Sequence, residues 1–485
     1  MSWGFHCAVT GGGRGLLVRR DSEPVAELVF GLPGDPVEGW EPDESEARLT
    51  RAESTTVRLR HVPDPAGWTT VVSLDNTEDT ERALPPLGMV VSVHDAWAGW
   101  SWTSDTEGFV LLAPRDAAGP VLLVRVRHGF LRAAAGPRAF TPFDRRGDAL
   151  GDGVALFHLA HPTGSIRAFA RHQTTLEFSE VADSAAVRGF LPAWLPDLVV
   201  APGDELRFDT PDLAIVPGEG VQLGTEDTTS VLVGRPGHRE VAVHGVQGVQ
   251  RLSATFVPAL EPFLADLTAA LKSRRPSAVA SATAAVIAAA LSRRAVIDPE
   301  AVLDWLERED WLARGDVFAP AIAAVVATET HDTALLQAAC DAVLAADPQP
   351  GLGIVATRCW LATLRLGLPP LDLTAVFRSA LADPSAAFEA ALLRNADAEL
   401  FGPRIFGVAH RFGDGAVPGV PVGLSEADAG LLVALLRLVP EDWPAKRVAA
   451  AASERGAALL LADHADGHHP AHYGLAWLLL GEIGA

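Results

Sequence analysis

Cysteine, methionine and tyrosine are almost missing from this chain, with 3 Cys, 2 Met and 1 Tyr among 485 residues. Cys7, Cys340 and Cys359 form no C-x-x-C pair and leave an odd thiol. That argues against a disulfide framework and a cysteine-based zinc site. Lysine occurs only as Lys272 and Lys446, and arginine never clusters beyond dipeptides such as Arg274-Arg275. With a net charge of −22, most of the surface repels nucleic acid, so that partner class is set aside. No apolar run approaches the roughly 20 residues of a membrane span. Met1 to Arg14 carries neither a basic start nor an apolar stretch, so no secretory signal is read and cytoplasm is the expected location. Walker A, G-x-S-x-G and the dinucleotide fingerprint are all lacking, and no cofactor is expected.

What remains is an ordinary globular composition, 48% hydrophobic and 21% charged, in a chain long enough for two domains. From about Leu16 to Phe256 the hydrophobic period is two. Val57, Leu59 and His61 alternate with Thr56, Arg58 and Arg60, and a dozen similar short runs are separated by Gly, Pro and Asp. There is no room for crossover helices, so antiparallel pairing into a large β-sandwich is expected over residues 1–256. At Phe256 the period changes to 3.6. Leu260, Leu264, Leu267 and Leu271 share one helix face, and the joint falls near 257–277. Asp298-Pro299 opens a helix that Gly315 closes, Asp332 opens another, and Ser425-x-x-Asp428 resembles a capping box. Residues 257–485 are therefore expected to form an all-α domain of helical hairpins, as an array or partial toroid. The fold class is α+β with two domains.

Four constellations are candidates for chemistry. In Asp95-Ala-Trp97-Ala-Gly-Trp100-Ser-Trp102, Trp100 and Trp102 share a strand face and Trp97 takes the other. Paired indoles suit a sugar ring, although large aromatics also fill sandwich interiors. The stretch Phe401–Gly423 is a Gly- and Pro-rich connection inside the helical half, of a length typical of binding loops, and carries Arg404, His410 and Arg411 for an anionic ligand. Asp463, His464, Asp466, His468, His469 and His472 form the densest titratable cluster. His464, Asp466, His468 and His469 are weak metal candidates, since no standard ligand spacing is present and a polar inter-helix loop accounts for them. Because an up-and-down helix pair separates it from the long loop, the two are expected at the same end of the helical half. The fourth, Asp144, Asp148 and Asp152 in a glycine-rich loop, fails the EF-hand pattern and reads as turn capping.

A sandwich followed by helical hairpins is similar to the architecture of several sugar hydrolases and phosphorylases, an analogy of fold alone. It points to a carbohydrate-binding or carbohydrate-processing protein with its sugar site at the junction of the two halves. The competing expectation is a non-catalytic scaffold whose partner is another protein. A deep cleft at the junction lined by paired carboxylates and Trp favours the first, and a helical half packed solid favours the second. Oligomeric state is not legible.

Overall fold

The computed structural model describes residues 3–31, 41–42, 46–50, 55–115, 119–134, 154–209, 212–245, 248–380, 384–394, 396, 405, 409, 418–469 and 471–482. Its first half is three stacked β layers, where the sequence suggested one sandwich. A six-stranded sheet that begins with Phe5–Thr10 packs on one face of a nine-stranded sheet, and Leu16, Leu28 and Phe30 interleave there with Leu59, Leu122 and Phe178. Four- and three-stranded sheets from residues 199–256 cover the other face, where Phe208, Val241 and Leu252 meet Trp100, Phe109 and Leu123. Among the described residues, strand pairing is antiparallel except for Val199–Val200 against Thr255–Phe256. A sheet covered on both faces has no solvent side. Gly108–Pro114, Gly-Phe-Val-Leu-Leu-Ala-Pro, is accordingly buried at every position and shows no alternation.

The continuous run of strands ends at Phe256 and the first long helix begins at Leu260. Among the described residues the helices of this half are α1 (Leu260–Leu271), α2 (Ser281–Ser292), α3 (Pro299–Glu307), α4 (Ala319–Thr330), α5 (Thr333–Ala345), α6 (Leu352–Arg365), α7 (Leu373–Ala380), α8 (Pro384–Leu393), α9 (Glu426–Arg437), α10 (Lys446–Ala465) and α11 (Tyr473–Leu480). Asp298 accepts from the Ala301 N–H, and Asp332 from Ala334 and Leu335, as their spacing predicts. Ser425 Oγ accepts from the Asp428 N–H at 3.2 Å and donates to the Asp428 carboxylate at 2.5 Å, a variant of the expected box. Gly315 closes a separate 3₁₀ turn, Leu312–Arg314, in the left-handed conformation, because α3 has already stopped at Glu307.

Helices α2, α4, α6 and α11 touch in a cycle. α2 is apolar all round and buried from Ser281 to Leu291, the behaviour of a helix with neighbours on every side. The four inner helices point the same way. Their C-terminal ends surround a cavity of about 290 Å³, where Arg358 donates to the carbonyls of Leu479, Leu480 and Glu482 at 2.8–3.0 Å. Cations there offset the negative ends of the helices.

Glu389 of α8 is buried and caps α6, accepting the N–H groups of Gly351 and Ile354 at 2.7 and 2.6 Å. Burial pushes its carboxyl up to about 7 against the pull of those N–H groups. The folded chain then holds a proton that the unfolded chain has released above the ordinary carboxyl value. Stability from this group is present below about pH 4.5 and is lost as pH rises through about 7, by at most about 3 kcal/mol. Urea titrations across that range should show the wild-type slope with pH flattened in Glu389→Gln. Parallel slopes would contradict the assignment.

Candidate functional site

The Gly419–Leu424 segment leaves the helical half and joins the sandwich. Val420–Pro421 pairs with Trp97–Thr103, placing Pro421 opposite Trp100 and Val420 opposite Ser101, as the edge strand of the nine-stranded sheet. Gly419 has φ 137° and lies so close to the Ser101 carbonyl that a Cβ would strike it, so only glycine allows the approach. Arg455 of α10 lies 4.9 Å over the Trp100 ring. The two halves are thereby joined around a pocket of about 260 Å³, walled by His238 from the sandwich, Pro421 and Leu424 from this segment, and Glu426, Asp463 and His469 from the helices.

Asp463 is the hub. Its Oδ1 lies 2.9 Å from His238 Nε2, and its Oδ2 lies 3.9 Å from His469 Nε2. His238 is held at its other nitrogen by Thr255 Oγ1 at 3.1 Å, so a Thr255–His238–Asp463 chain fixes the carboxylate. Half-burial lowers the His469 imidazole below its ordinary value, opposed by the charges of Asp463 and Glu426. A neutral imidazole beside an oriented carboxylate is able to take a proton.

Glu426 sits at the start of α9 and accepts the Gly474 N–H that opens α11. That pairing requires a close crossing, and it is possible because Gly430 of α9 lies against Gly474, where a Cβ on either would collide with backbone. The Glu426 Oε1 also lies 3.1 Å from His464 Nε2. Burial works to raise its carboxyl, but the His464 hydrogen bond and charge, the Gly474 N–H and the charge of His469 outweigh it and hold it low. Glu426 is a carboxylate already engaged.

The candidate residues divide sharply. Of the four weak metal candidates, His464 is buried and its Nδ1 is taken by the Leu460 carbonyl at 2.7 Å. Asp466 accepts from the His238 N–H and from Arg239 Nη1, both at 2.7 Å, and so ties α10 to the sandwich. His468 is exposed and does not line the pocket, whereas His469 does. Among the described residues no group of three His, Cys, Asp or Glu side chains is arranged to hold a metal ion. Arg404, His410 and Arg411 lie outside the described residues, as do Asp144, Asp148 and Asp152. The far end of their loop and the histidine segment do meet in one pocket, because Val420–Pro421 adds to the sheet.

Trp97, Trp100 and Trp102 form no open sugar platform, since all three rings are at least 95% buried. Trp97 packs into the first β interface near Phe5, and Trp100 and Trp102 into the second, as strand alternation requires. Trp100 donates its Nε1–H to the Pro418 carbonyl at 3.0 Å and supports the pocket from behind. His238 and Glu426 are pocket residues that sequence patterns do not reveal. His238 is an ordinary strand residue, and Glu426 reads only as part of a cap. Their roles arise from groups 225 residues away for His238 and 48 away for Glu426.

No protein-family model matches the chain, and no curated protein matches its sequence. Among solved structures, a polysaccharide lyase is similar in fold, with a TM-score of 0.52 at 10% identity over 95% of this chain and 82% of its own length. At that identity the likeness is one of fold, and the fold, a large antiparallel β region followed by helical hairpins, is shared along nearly the whole chain.

Proposed function

We propose that this chain cleaves a uronic-acid polysaccharide by elimination in the junction pocket, with His469 as the proton-transfer group and Asp463 as its carboxylate partner. The observation that carries the reading is Asp463 held between His238 and His469 at the wall of a pocket shared by the two halves. The fold of a polysaccharide lyase supports the substrate class by analogy.

Elimination breaks a C–H bond next to the sugar carboxyl and the neighbouring C–O bond, and forms a C=C bond. Neutral His469 accepts the carbon-bound proton, Asp463 steadies the resulting imidazolium, and the same proton passes to the departing sugar oxygen. No other reactant is consumed. A retaining or inverting hydrolase needs a carboxylic acid kept protonated beside a second carboxylate. Glu426 does not suit that role, because its carboxyl is held low by His464 and Gly474.

Incubation with polygalacturonate, alginate and glucuronate polymers should produce the ultraviolet absorbance of unsaturated ends in step with new reducing ends. Reducing ends without absorbance would mean hydrolysis, and no product from any acidic polymer would remove the reading altogether. The rate should rise with pH as His469 loses its proton, with the midpoint below the usual imidazole value of about 6.5. A midpoint above that value would point to a different base.

A further inference from the structure

A second pocket lies on the nine-stranded sheet where the third β layer ends. Leu123, Arg125 and Arg127 alternate onto one face of their strand. Leu123 is fully buried beneath the third layer, whereas the Arg127 side chain is 68% exposed beyond its edge. Glu177 faces Arg125 in register and takes its Nε and Nη2 on one oxygen at 2.9 and 2.6 Å. Arg127 Nη1 reaches the other oxygen only at 3.5 Å. Two guanidinium groups thus share one carboxylate, a local positive surplus in a chain of net charge −22.

Over this pair stands Phe190, which is 49% exposed at the end of a 3₁₀ turn, Arg188–Phe190. The Arg125 guanidinium lies 4.7 Å from its ring centre and holds it upright. Trp102 and Phe109, with ring centres 6.1 Å apart, and the half-buried Glu107 complete a pocket of about 240 Å³. Burial raises the Glu107 carboxyl, against a hydrogen bond from Gln250. An exposed aromatic ring, a spare guanidinium and a concave floor are the parts needed to seat a ring that is apolar on its face and anionic at its edge.

We propose that this pocket is a second sugar-binding site that takes a uronic-acid residue, with the sugar carboxylate on Arg127 and the C–H face of the ring against Phe190. The site rests on the uronate class proposed above and not on the chemistry of the junction pocket. The two are linked by one strand. Trp100 stands opposite Pro421 of the junction pocket, and Trp102 floors the second site two residues on, about 7 Å along the strand.

The test is isothermal titration of the full chain carrying His469→Ala, which prevents turnover, with hexamers of galacturonate, glucuronate and mannuronate and with a neutral glucose hexamer. Adding Arg127→Ala or Phe190→Ala should each weaken binding of the best acidic hexamer about tenfold and leave the melting temperature unchanged. Unchanged affinity in both variants, or no acidic hexamer bound above the neutral one, would overturn the site. The junction reading is judged separately by unsaturated product from the wild-type chain, so either proposal can fail alone.

Discussion

Turnover of a uronate polymer should fall about 10²- to 10⁴-fold in His469→Ala, the usual worth of a positioned proton-transfer group. The loss should lie in kcat, because His469 acts on the reacting carbon and contributes little area to binding. Asp463→Asn removes the charge that steadies the imidazolium while keeping the shape, and should also lower kcat and shift the acid limb of the pH profile further down. His238 is a positioning residue two groups from the reaction. His238→Ala should leave the polymer KM close to wild type and change the pH profile, because it frees Asp463 from the Thr255–His238 chain. Equal activity of wild type and His469→Ala on every polymer that is cleaved would remove His469 from the mechanism. The melting temperatures of all three variants are the control for folding.

Trp100→Ala should destabilise the chain by about 3–5 kcal/mol, the range for emptying a buried indole site. The ring is 2% exposed, its N–H is bound to the Pro418 carbonyl, and Arg455 stacks on it. Truncation leaves a void between the second and third β layers and an unpaired carbonyl under the edge strand. Because Val420–Pro421 is the wall of the junction pocket, catalytic loss should accompany the loss of stability. Trp100→Phe keeps most of the volume and should recover most of the stability while lacking the hydrogen bond. A Trp100→Ala chain that unfolds at the wild-type urea midpoint would show that the ring is not a core element.

Of the two readings of these tryptophans, sandwich core and sugar platform, burial supports the first, and the contrast illustrates what a linear pattern leaves out. Their alternation is legible, and Trp97 does face away from Trp100 and Trp102. Which face meets solvent is not, because a third layer formed about 100 residues later covers the one that a two-layer sandwich leaves open. The same covering erased the period-two signal of Gly108–Pro114. Local rules fared better where the partner lies within a turn. Asp298, Asp332 and Ser425 cap where their spacing predicts, because a cap is completed by atoms two or three residues away.

From the residues alone, then, came the change of architecture near Phe256, the helix starts, and the cluster containing Asp463 and His469. Hydrophobic period and capping chemistry are local properties, written within a window of a few residues. The tertiary structure decided the rest. It brought His238 to Asp463 across 225 residues. It let Glu426 serve as the cap of another helix through the Gly430–Gly474 crossing, and it made the end of the long loop an edge strand against Trp100 and Ser101. Each of these depends on how layers and helices stack. Stacking is set by the summed packing of whole faces, and no short stretch of sequence carries that sum.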